Sequence, residues 1–147
     1  MAEVDGPYLN VAILCERVLI EGNGLFSPIR ILDRMTVTRL PGTPTDTEPP
    51  PVSLTYMVMF RVGNVRGQHQ VAVRLRTPSG LRQADITQTV LFEGDDERGV
   101  TTLVPMNLKL TEPGLYWFEL LLDGDMVTKT PLRVVSLQGS VVTPPQL

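Results

Sequence analysis

Ser53-Leu54-Thr55-Tyr56-Met57-Val58-Met59-Phe60-Arg61-Val62 alternates without a break. Leu54, Tyr56, Val58, Phe60 and Val62 take one side of an extended chain; Ser53, Thr55, Met57, Met59 and Arg61 take the other. Successive strand side chains point to opposite faces, so this period of two predicts a strand with its aromatic side against a core.

The pattern recurs outward from that segment. After Gly63-Asn64 and Gly67, Gln70–Thr77 sets Val71, Val73 and Leu75 inward and Arg74 and Arg76 outward. Pro78-Ser79-Gly80 turns the chain into an expected strand, Leu81–Phe92. Val73 opposite Ile86, with Arg74 facing Asp85, is the favoured register, because a one-residue slip would set Val73 against Asp85. An acidic loop, Glu93–Gly99, precedes strands over Val100–Leu110, Leu115–Leu122 and Met126–Val135, the last two joined by the hairpin signal Asp123-Gly124.

Upstream, Tyr8–Ile20 is apolar on both alternating sets as far as Leu14, as in a buried strand, and Glu16-Arg17 marks a candidate bulge. Glu21-Gly22-Asn23-Gly24 is a turn. Ile29–Leu40 is expected as one long strand with Ile29, Ile31, Met35 and Val37 on one face. Residues 41–52 hold five prolines and read as a stiff surface connection.

These strands and turns predict an all-β fold, an antiparallel two-sheet sandwich. Glu112-Pro113-Gly114-Leu115-Tyr116 has the spacing of a tyrosine corner, and Phe118 stands where an antibody domain carries its second cysteine. An immunoglobulin-like sandwich is therefore expected, with a jelly-roll-like sandwich as the alternative. With 147 residues, the chain is read as an N-terminal extension (1–7), one domain (8–135) and a C-terminal tail (136–147).

Two segments resemble a family of small uncharacterised bacterial all-β proteins. Asn10–Val18, continuing through Phe26–Ile31, is similar to that family's opening; Pro113–Gly124 with Pro131–Val134 is similar to its final, immunoglobulin-like hairpin. The resemblance implies an all-β cytosolic fold, with no catalytic residues to carry over.

Chemistry is sparse. Cys15, the lone cysteine, lies in an apolar run and reads as a buried, inert thiol. The one histidine, His69, has no ligand cluster in sequence and reads as a surface or edge residue; no serine sits in a Gly-x-Ser-x-Gly turn. No catalytic residue, cofactor or metal site is assigned. The acidic N-terminus lacks the marks of a secretory signal, and no apolar run approaches the ~20 residues a membrane helix needs. A cytoplasmic bacterial protein that is not an enzyme is expected.

A net charge of −3 weighs against nucleic acid. Arg74 and Arg76 nevertheless share an outward face and belong to a run of five arginines without an acid from Arg61 to Arg82. Met57, Met59 and Trp117 are apolar residues opposite the core stripes, which implies a covered surface. Arg74, Arg76, Met57, Met59 and Trp117 are thus the candidate partner-binding residues. The leading expectation is a binding or accessory module that engages a macromolecule, or a second copy of itself, through a sheet face or loops. One alternative is a small-ligand or metal site built from Asp95, Asp96, Asp123 and Asp125 at one sandwich end. The other is a weak phosphate- or nucleic-acid-binding arginine face.

Overall fold

The computed structural model describes residues 5–39, 50–95, 97 and 99–138. Nine strands follow in chain order: β1 (Tyr8–Ile20), β2 (Phe26–Ile31), β3 (Arg34–Arg39), β4 (Val52–Arg61), β5 (Arg66–Arg76), β6 (Ile86–Glu93), β7 (Val100–Leu108), β8 (Gly114–Leu122) and β9 (Asp125–Gln138). One sheet has the order β2-β1-β4-β7 and the other β3-β9-β8-β5-β6. Among the described residues no helix is long and apolar enough to cross a membrane.

The order is that of an immunoglobulin-like sandwich. β4 lies beside β7 in the first sheet, while β5, β8 and β9 lie side by side in the second with β6 outside β5. The tyrosine corner is made: the Tyr116 hydroxyl donates to the Glu112 carbonyl at 2.7 Å and accepts from the Glu112 N–H at 3.1 Å. Gly114 beside it holds φ 129°, and a Cβ there would stand 2.8 Å from the Pro78 ring, so a side chain is refused twice.

The stripe on β4 is buried as its period requires, with Tyr56 and Val58 fully inaccessible. Tyr56 stacks on Phe118 of the opposite sheet with centroids 6.4 Å apart, and Phe60 meets Phe92 edge-on at 5.8 Å. Phe118 thus links the sheets by a ring contact where antibody domains use a disulfide. The Tyr56 hydroxyl, carried into the interior, is satisfied by Thr130 Oγ1 at 2.6 Å.

Four expectations change. The ladders are antiparallel except that β3 pairs with β9 in parallel. Ile29–Leu40 is two strands rather than one: Arg30 takes φ 54°, Leu32 N–H donates to Leu14, and the chain passes from one sheet to the other. The four apolar residues Ile29, Ile31, Met35 and Val37 therefore do not share one face. Ile31 stands opposite Cys15 on the outer side of the first sheet and is 62% exposed, while Met35, opposite the buried Val134, and Val37 pack against the core. The irregularity of β1 lies between Leu9 and Val11 instead of at Glu16-Arg17. The β5–β6 hairpin has Val73 opposite Ile86 as expected, yet β6 begins only there; Arg82 makes a lone bridge to Arg76 before it. Asp123 and Gly124 both have positive φ, the requirement of a type I′ hairpin turn.

β9 reaches Gln138, into the segment read as tail; the rest of that tail, most of the proline-rich loop and Asp96 lie outside the described residues.

Candidate functional site

The outer face of the first sheet is built of register rows. Ile13, Met57 and Leu103 form one; Val11, Met59 and Thr101 form the next; Cys15 stands beside Thr55. Residues on such a face should meet water, yet Met57 is only 4% exposed and Cys15 is fully buried. Burial raises the Cys15 pKa, and its Sγ lies 3.4 Å from the Thr55 carbonyl, so the thiol stays protonated and unreactive.

The cover comes from the chain itself. β1 pairs with β4 only as far as Cys15, then continues with β2 as a free hairpin. The hairpin turn and Met59 line one groove, although Met59 lies four residues back along β4 from the last β1 pair. The hairpin therefore doubles back over the outer face. The groove has a volume of about 890 Å³ and is lined by Glu21, Leu25, Phe26, Met59, Glu97 and Thr101 among others.

The hairpin itself keeps large aliphatic side chains in water. Leu19, Ile20, Leu25 and Ile31 of the hairpin are 46%, 64%, 57% and 62% exposed. β2 is also a sheet edge, with Pro28 removing one donor from it. The composition of 17–31 carried this signal, since Val18, Leu19 and Ile20 leave no polar side.

The outer face of the second sheet is polar. Arg74 makes a two-pronged pair with Asp85 at 2.9 and 3.1 Å, and Arg76 Nε donates to Glu119 at 2.7 Å. The guanidinium beside Asp85 holds that carboxyl below its ordinary range. Trp117 is half-buried, with the Lys129 ammonium 4.3 Å from its ring centroid. Arg74, Arg76 and Trp117 thus share one side of the molecule, and Met57 and Met59 lie on the other.

His69 is not an isolated edge residue. Its Nδ1 lies 2.5 Å from Asp123 Oδ2, its Nε2 lies 3.1 Å from the Arg66 carbonyl, and its ring leans on Phe92. The hydrogen bond to Asp123 raises the His69 pKa, while the Gln70 N–H, then His69, lower that of Asp123. With both ring nitrogens engaged, the imidazole has none left to deprotonate a substrate. Among the described residues no group of three His, Cys, Asp or Glu side chains could hold a metal ion.

Comparison with known proteins gives a family and a fold. The model of a family of unknown function, DUF6941, matches residues 10–135, covering the middle of the chain as well as the two ends that carried the resemblance. No curated protein matches. A β-glucosidase from Listeria innocua is similar in structure at 12% identity and TM-score 0.52, over 92% of this chain. This chain spans 17% of that enzyme's length, and at such identity the likeness shows the fold alone. An immunoglobulin-like protein from Pseudomonas aeruginosa aligns at 12% identity and TM-score 0.45, over 90% of this chain and 97% of its own.

Proposed function

We propose that this chain, which belongs to the DUF6941 family of unknown function, is a non-catalytic binding module that meets another macromolecule through its β1–β2 hairpin. The observation that carries the reading is the group of four large aliphatic side chains, each about half exposed or more, on one short hairpin at a sheet edge. Apolar area of this kind is worth about 25 cal/mol per Å² when removed from water, so a partner that covers it gains affinity. The ring contact at Phe118, in place of a disulfide, supports work in a reducing, cytoplasmic setting.

The test is a variant with Leu19, Leu25 and Ile31 all changed to Ser. Wild type should show association, with itself by light scattering or with a protein recovered from native cells, and the variant should lose it while keeping its melting temperature. A wild-type chain that is strictly monomeric and recovers no partner would sink the reading.

The groove beneath the hairpin favours a second reading, a small-ligand site, because its volume lies in the usual range for such pockets. That reading expects a rise in melting temperature with some member of a metal and metabolite panel.

A further inference from the structure

We propose that the outer face of the second sheet is a docking surface for an acidic polypeptide segment. It rests on the reading of the chain as a binding module, but on residues across the sandwich from the hairpin. Strand register sets three rows side by side on this face. Arg34 lies beside Arg133; Pro131, Trp117, Arg76 and Arg82 form the second row; Lys129, Glu119 and Arg74, with Asp85 reaching Arg74, form the third. Among the described residues, six basic side chains and two acidic ones gather here. A chain of net charge −3 therefore has one strongly positive side.

Two of these neighbours, Arg34 with Arg133 and Arg76 with Arg82, are like charges directly opposite each other, an arrangement that costs stability. Arg34 and Arg133 are exposed, and among the described residues neither has an ion-pair partner. A carboxylate between them would relieve the repulsion and meet two guanidinium forks, the geometry Arg74 already shows with Asp85.

Three features select a polypeptide over nucleic acid. The patch spans about 19 by 14 Å, from five strands ~4.8 Å apart and three rows ~7 Å apart, which suits a short extended segment. A longer polyanion would run on to the acidic remainder of the surface. The Trp117 ring, the aromatic group in the rows, is capped by Lys129 and so offers no open platform for bases.

Trp117 is the sole tryptophan and reports on the centre of the patch. The probe is a decaglutamate peptide, titrated in 50 mM salt while Trp117 emission is followed, with a 20-nucleotide single-stranded DNA in parallel. Arg34→Glu with Arg133→Glu should weaken peptide binding at least tenfold, and raising salt to 200 mM should weaken wild-type binding several-fold. Arg34→Gln with Arg133→Gln carries the test if the reversed pair does not fold. Leu25→Ser should bind the peptide like wild type, which separates this face from the hairpin. Absence of peptide binding, binding indifferent to both double variants, or tighter binding of the DNA would overturn the proposal.

Discussion

The outer faces of the two sheets solve one problem in opposite ways. Both sheets bury an inner face, where the core stripe of β4 meets Val71, Val73, Phe118 and Leu120. On the outside, the first sheet carries Ile13, Met57 and Leu103 and must be covered; the second carries charges and can stand in water. Covering an apolar sheet with an apolar hairpin does not abolish exposure: Leu19, Ile20, Leu25 and Ile31 of that hairpin remain about half exposed or more. Pairing arginines with carboxylates leaves no apolar debt, only a surplus of positive charge. The molecule thus presents a greasy side and a cationic side, suited to different partners.

The largest effect that bears on this contrast belongs to the shared interior. Phe118→Ala should lower stability by about 3–5 kcal/mol, read from urea unfolding, because it empties the contact with Tyr56 that joins the sheets. Against that reference, Met57→Ala should cost about 2–3 kcal/mol, as for a core methionine, although it points away from the core. Met59→Ala, on the same face but lining the open groove, should cost less than about 1 kcal/mol. If Met57→Ala proved as mild as Met59→Ala, the hairpin would be no real cover and the contrast between the faces would fail.

What the sequence disclosed follows from what alternation measures. The strand over Ser53–Val62, the register at Val73 and the corner at Tyr116 were legible because each is a local pattern fixed by burial or by one turn. The crossing at Leu32-Asp33 was not, since alternation does not show where a chain leaves one sheet for the other, and Ile31 and Met35 end on different faces. Met57 and Met59 were legible as apolar residues facing outward, but not what lies over them, because the hairpin doubles back through tertiary contact. Arg34 and Arg133 stand about a hundred residues apart, and only the parallel pairing of β3 with β9 sets them side by side. His69 and Asp123, 54 residues apart, were likewise separate in sequence and joined by the fold.

That last pair gives the smallest effect, and it tests whether polar contacts of the second sheet hold the fold as well as decorate it. Asp123 Oδ1 accepts from the Gln70 N–H at 2.9 Å while Oδ2 faces His69, so the β8–β9 turn is tied to β5. Both imidazole nitrogens face acceptors, and only the doubly protonated ring can donate to both. A histidine whose folded pKa is raised stabilises fully below its unfolded value of about 6.5, and loses that contribution as pH rises through the folded value. Asp123 works in the other direction: its lowered pKa gives stabilisation present above about 3.9 and lost as pH falls through the folded value. The tie should therefore be strongest in the interval between the Asp123 and His69 titrations. The stability gap between wild type and His69→Gln should narrow from pH 6 to pH 9, modestly, because solvent reaches the pair. Proton NMR of the one histidine should give a titration midpoint above 6.5, and Asp123→Asn, whose side chain tolerates the positive φ there, should bring it back down. A wild-type midpoint at or below 6.5, or one that Asp123→Asn leaves in place, would show that the contact decorates the sandwich end without holding it.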